Sequence, residues 1–165
     1  MFLAHLPAGY LLGRALSHGS PDRRALVLTA CAMSLLPDTD LLWFYLVDHR
    51  QTVHHAYLFH WPLFWIALAG LGWLMAKVLH RPRMLPFVGV SLAALLLHML
   101  LDSVAGGIAW FAPFSEGELL FVTIPARHGR WVWNFVLHWT MALELILIAA
   151  AVLAFCRDLR RPQRA

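Results

Sequence analysis

The chain has 165 residues, 61% of them hydrophobic and only 13% charged, with a mean hydropathy of +0.66 and a formal net charge of +4. Soluble domains carry roughly a quarter charged residues, so the composition excludes an ordinary water-soluble globule and leaves much of the surface to face lipid. The basic excess is small and forms no long run, which excludes a nucleic-acid partner, and the length predicts one unit over residues 1–165.

Five apolar segments follow in chain order, predicting an all-α, polytopic transmembrane bundle of four to five membrane segments with interrupted helices. Residues 2–16 are short for a span of about 20 residues and lack a basic start and a small-residue cleavage site, so no cleaved signal peptide is expected. Residues 25–47 are long enough but are interrupted by Pro37-Asp38-Thr39-Asp40. Residues 56–79 are rich in Trp and Leu, 84–112 carry His98 and Asp102, and 132–156 form the cleanest span, with His138 and Glu144. Cys31 and Cys156 have no paired spacing and are expected as free thiols within apolar segments. The connector 113–131 holds Pro113 and Pro125, which oppose continuous helix and suggest a small lid or interfacial hairpin.

Connector charge predicts orientation. One side collects Arg23, Arg24, Lys77, Arg81, Arg83, Arg157, Arg160, Arg161 and Arg164; the other has Arg50, Arg127 and Arg130. Nine against three predicts a cytoplasmic C-terminus in a bacterial-type inner membrane. On that map all histidines except His18 and His80 collect toward the opposite, periplasmic face.

The chemistry-bearing residues gather there too. A carboxylate near mid-membrane costs roughly 2.5–3.5 kcal/mol even on lenient insertion scales, and the chain places two, Asp38 and Asp40, at a Pro-made break. One could cap the following half-helix; a second needs another partner. His98 and Asp102 stand four apart and share a helix face, as a hydrogen-bonded pair, as two metal ligands, or as a ligand and its orienter. His49 and His54 lie just outside the second segment beside Arg50, which suits an anionic group. His5, His55, His60 and His138 are weaker candidates. Carboxylates with imidazoles suit a divalent ion, zinc first and Mn or Fe(II) next. The set exceeds the three protein ligands of a typical catalytic zinc site, leaving room for a general base or a second metal.

These motifs resemble a known family. His5 in HLPAGYLLG, then LLPDTD, HRQTVH and LLHMLLDSVAGG before Pro113 are similar, in order, to the YdjM-like family of predicted membrane-bound, metal-dependent hydrolases. The resemblance implies metal-site roles for Asp38, Asp40, His49, His54, His98 and Asp102, with His5 as a further candidate. The chain departs from the family pattern at Thr52, one position early, and at His55, which replaces a Ser. The expected reaction is metal-assisted hydrolysis of an amphiphilic ester, phosphoester or amide at the non-cytoplasmic leaflet of the lipid bilayer, with Asp40 or Asp102 accepting a proton from water and Arg50 or a spare histidine steadying developing charge. Three rival expectations are transport of divalent ions or protons, a haem or quinone subunit with His98 and His138 as axial ligands, and a purely structural membrane subunit, which would leave the buried carboxylates unexplained. Almost wholly apolar cytoplasmic halves weigh against the first, and three clustered carboxylates weigh against the second.

Overall fold

The computed structural model describes residues 3–160. Within them the helices are α1 His5–Leu16, α2 Arg23–Met33, α3 Leu41–Leu46, α4 Pro62–Val78, α5 Leu85–Asp102, α6 Trp131–Val136 and α7 Thr140–Arg160. Short 3-10 turns at Pro37–Asp40, His54–Ala56, Leu58–His60 and Pro82–Met84 join them. No strand forms among the described residues beyond an isolated antiparallel bridge between Ile108 and Leu119.

Prolines set several boundaries. Pro62 opens α4 and Pro86 lies in the first turn of α5, where a missing N–H costs nothing. Pro37 has the opposite effect. It cannot continue α2, so the chain leaves the α-helix after Met33, makes one 3-10 turn and resumes as α3. The two pieces meet at a 40° bend.

By length and composition, Pro82–Asp102 and Thr140–Arg160 can each cross a membrane, and the bent pair Arg23–Met33 with Pro37–Leu46 brings the total to three if it is one span. Of the four to five expected spans, two to three are supported by this measure. The first segment is a helix of only 12 residues and the third, from Pro62, has 17. The fourth ends at Asp102, because residues 103–112 turn back rather than continue as helix. The fifth breaks between α6 and α7 at Leu137–Trp139.

Helix α5 is the central post, packed by α1, α2 and α4. Its buried stripe is Val90, Ala94, Leu95, His98, Met99 and Asp102. Leu26 and Ala30 of α2 pack on Val90 and Ala94, while Trp65 of α4 joins Leu95, Met99 and Ile108. The apolar stripe becomes polar only at its last turn. Outside the bundle, Leu74, Leu145, Ile146 and Leu153 are exposed, as lipid-facing positions require.

Helix α1 is held at both ends. His5, Gly9 and Gly13 recur every four residues and share one stripe. A Cβ on Gly13 would stand 2.7 Å from Ala30 Cβ and 3.0 Å from Val27 Cα, so bare glycine lets the α1 and α2 backbones meet. At the far end Asp158 of α7 accepts hydrogen bonds from Tyr10 Oη (3.0 Å), Arg14 Nε (3.0 Å) and Arg23 (2.8 Å), tying α7 to α1 and α2. Near the start of α1, the Leu3 amide donates to buried Glu144 of α7.

Replacing Gly13 by Leu should therefore push α1 off α2 and cost roughly 1–3 kcal/mol. A lowered thermal midpoint in detergent, against an unchanged Gly70→Ala control whose Cβ meets nothing within 4 Å, would register it. Equal midpoints would contradict this packing.

Candidate metal centre

The break after α2, the turns before α4, the start of α1 and the last turn of α5 converge at one end of the bundle. They bring together Asp38, Asp40, His5, His54, His55, His60, His98 and Asp102.

Four donor atoms face one another at the centre. His98 Nε2 lies 3.1 Å from Asp102 Oδ2 and 3.8 Å from Asp38 Oδ1. His60 Nε2 lies 3.8 Å from Asp102 Oδ2 and 4.0 Å from Asp38 Oδ1. All four atoms fall within 4.8 Å of one another, a set that could hold a metal ion. Ligand bonds of about 2.0–2.1 Å around tetrahedral zinc would separate donors by about 3.3 Å, so small side-chain shifts would close the set.

The outer nitrogens of both imidazoles determine what the inner ones can do. His98 Nδ1 is 2.8 Å from the Ser34 carbonyl, which can only accept, so Nδ1 carries a proton. That carbonyl lies just past the end of α2, at the break made by Pro37. His60 Nδ1 lies 2.8 Å from Asp40 Oδ2 and donates to that carboxylate. In the neutral rings each Nε2 then has a lone pair directed at carboxylate oxygens, and neither makes a hydrogen bond despite full burial. Lone pairs facing carboxylates repel unless a proton or a cation lies between them. The donor set therefore fits a divalent ion, in the arrangement where an outer carboxylate or carbonyl fixes the tautomer of a ligating histidine.

Further groups complete the shell. His5 stacks on His98 with ring centroids 3.9 Å apart, and its Nε2 is 3.1 Å from Asp102 Oδ1. His54 Nδ1 stands 3.0 Å from Asp40 Oδ1 and its Nε2 is 3.5 Å from Asp38 Oδ1. His55 Nε2 is 3.8 Å from Asp102 Oδ2, and His54, His55 and His60 form a second group of donors close enough for an ion. Bare Gly106 makes room for His55, since a Cβ there would lie 2.4 Å from its ring. Residues 103–122 fold over this end through Phe121 N to Ser103 O (2.8 Å) and Val122 N to Val104 O (2.9 Å).

Sequence reasoning and geometry part at three places. His49 and Arg50 are exposed and stand outside the cluster. Both adopt left-handed backbone, φ 49° and 66°, in a turn where Asp48 accepts from the Thr52 amide, and both side chains are left in the open. Asp40 lies outside the four-donor set and instead grips two imidazoles. His60, a weak candidate in the sequence, is at the centre; its signal was HHAYLFHW, too many histidines for an apolar turn. His138 lies 3.0 Å from Thr140 Oγ1 at the start of α7.

In the metal-free chain burial opposes charge on His54, but the carboxylates of Asp38 and Asp40 outweigh it and raise its pKa to about 9. Burial depresses His55 to about 4, against the attraction of Asp102. The raised value stabilises the fold below His54's ordinary 6.5 and is lost as pH climbs through 9; the depressed value stabilises above 6.5 and is lost as pH falls toward 4. Metal-free protein should show a thermal midpoint that declines on both sides of this pH. His54→Gln should flatten the alkaline limb, and an unchanged alkaline limb in that variant would refute the assignment.

The model of the YdjM inner membrane protein family matches residues 1–161. No curated protein and no solved structure matches the chain.

Proposed function

The chain belongs to the YdjM inner membrane protein family, and we propose that it is a membrane-bound, metal-dependent hydrolase acting on an amphiphilic ester, phosphoester or amide at the non-cytoplasmic leaflet. The observation that carries this reading is the pair of buried, tautomer-fixed imidazoles, His60 and His98, whose Nε2 atoms face Asp38 and Asp102. Those four residues would hold the ion, zinc being the first choice for imidazole and carboxylate donors, with Mn or Fe(II) as alternatives. A bound divalent ion would acidify water toward neutral pH and polarise a substrate oxygen.

The remaining residues have separable tasks. Asp40 keeps the His60 ring turned, and its second oxygen faces His54. His54 stands at the open edge with one-fifth of its side chain exposed, beside Asp38 at 30%. There it can pass a proton to a leaving group. Asp38, the most open carboxylate of the set, is placed to take one from water; this moves the base from Asp40 and Asp102, which are closed in by imidazoles. Arg50 has no part in this scheme.

The proposed topology is one membrane unit over 1–165, with α4 as a further span at the lower length limit of about 17 residues and α1 as a partial one. The Asp158 clamp supports a common side for the end of α1, the start of α2 and the end of α7. The basic connectors make that side cytoplasmic, so the metal centre faces the periplasm. A site closed into one end, with an ion-paired clamp toward the other, favours hydrolysis over a through-path for ions.

Elemental analysis of purified protein should find stoichiometric divalent metal in the wild type and in Arg50→Ala, and little in Asp38→Ala, His60→Ala or His98→Ala. Zinc-loaded wild type in proteoliposomes should hydrolyse an amphiphilic ester, phosphoester or amide, lose the activity on chelation and regain it with zinc. Full metal with no hydrolysis of any of the three would reject the enzymatic reading; full metal in the alanine variants would reject the site.

A further inference from the structure

A cavity of about 450 Å³ lies beside the metal centre. Leu42 and Trp43 of α3 contribute to its lining, as do Tyr57, Leu58 and Phe59 from the turns before α4. Its one charged lining residue is Asp40, the carboxylate that faces His54 and accepts from His60. Cavity and cluster therefore share a wall. Asp38 and His54, which flank that wall at two residues from Asp40 and 3.0 Å from its Oδ1, are the more exposed members of the cluster, while His60 and His98 are closed. The mouth is apolar at the surface, with Leu42, Trp43 and Leu58 exposed. On an inner-membrane protein such a mouth opens to lipid, and the volume is in the range of small-molecule sites, about 300–1,000 Å³.

We infer that this cavity takes one acyl chain of a bilayer phospholipid, entering sideways from the leaflet, and that the bond cleaved is the carboxylic ester joining that chain to its glycerol. The inference rests on the hydrolase reading for its chemistry. With the chain filling the cavity as far as Asp40, the first polar bond beyond it falls at the Asp38 and His54 edge; a phosphoester, several bonds further on, would overshoot. Water's oxygen bonds to the ester carbonyl carbon and gives a proton to Asp38, the carbon–oxygen bond to glycerol breaks, and the departing oxygen takes a proton from His54. The products are a lysolipid alcohol and a fatty acid, which ionises by releasing one proton. Lipid tails are as apolar as Leu, so entry adds little affinity. The cavity acts by holding the ester in register with the cluster.

The test uses the full chain, zinc-loaded, in phosphatidylethanolamine and phosphatidylglycerol vesicles doped with phosphatidylglycerol bearing a diazirine at the end of one acyl chain. Illumination should label residues 42–43 and 57–59 as well as the exposed Ile146 and Leu153 of α7. Leu58→Trp, which fills the cavity, should lose the first label and keep both the α7 label and the metal; Leu42→Trp serves if Leu58→Trp loses its metal. Label absent from 57–59 in the wild type, or undiminished in a metal-replete filled variant, would overturn the cavity assignment. Release of labelled fatty acid is expected; release of a phosphorylated headgroup instead would overturn the ester assignment. Asp38→Ala should lose metal and hydrolysis but keep the cavity label, so failure of the hydrolase reading and failure of the cavity are told apart.

Discussion

Three carboxylates, Asp38, Asp40 and Asp102, converge at one end of an apolar helix bundle, and everything else at that end is arranged around their charge. Asp102 lies between His5 and His98, Asp40 between His54 and His60, and Asp38 faces Nε2 atoms of His54, His60 and His98. Uncompensated, such charges in a low-dielectric interior would cost several kcal/mol each. His54, drawn toward its charged form by Asp38 and Asp40, supplies part of that compensation. The inner lone pairs of His60 and His98, whose outer nitrogens are committed elsewhere, supply none, and a bound divalent ion would add to it.

The scaffold serves this arrangement. The Pro37 break ends α2 one residue before Ser34, whose carbonyl then holds His98, and turns the chain so that Asp38 and Asp40 come off one 3-10 turn. Glycine on α1 permits the close approach that brings His5 over His98, and Gly106 leaves room for His55. Helix α5 carries both the apolar stripe on which α2 and α4 pack and, one turn further, the His98 and Asp102 pair. Packing and chemistry thus share one helix, and substitutions in the stripe are expected to displace the site.

Much of this was legible in the sequence because it is local. The PDTD break, the His-x-x-x-Asp spacing and the isolated N-terminal His are patterns within single elements, and the structure brings all of them together. What failed is what depends on turns. Depth in the membrane placed His49 and Arg50 level with the carboxylates, but depth is not proximity, and two left-handed residues leave them outside. His60 sits among Phe59, Trp61 and Pro62, where periodicity suggests the start of a span. Only the successive 3-10 turns at His54–Ala56 and Leu58–His60 carry it inward. The division of labour between Asp38, facing the centre, and Asp40, gripping imidazoles, is a matter of side-chain direction that no spacing encodes.

X-ray absorption at the metal edge of the purified protein reads the proposed ligands themselves. Only nitrogen and oxygen are expected in direct contact with the metal, with outer scattering from two imidazoles that falls to one when His60 is replaced by Ala in zinc-reconstituted protein. A sulfur ligand, or a spectrum unchanged by that replacement, would contradict that ligand set.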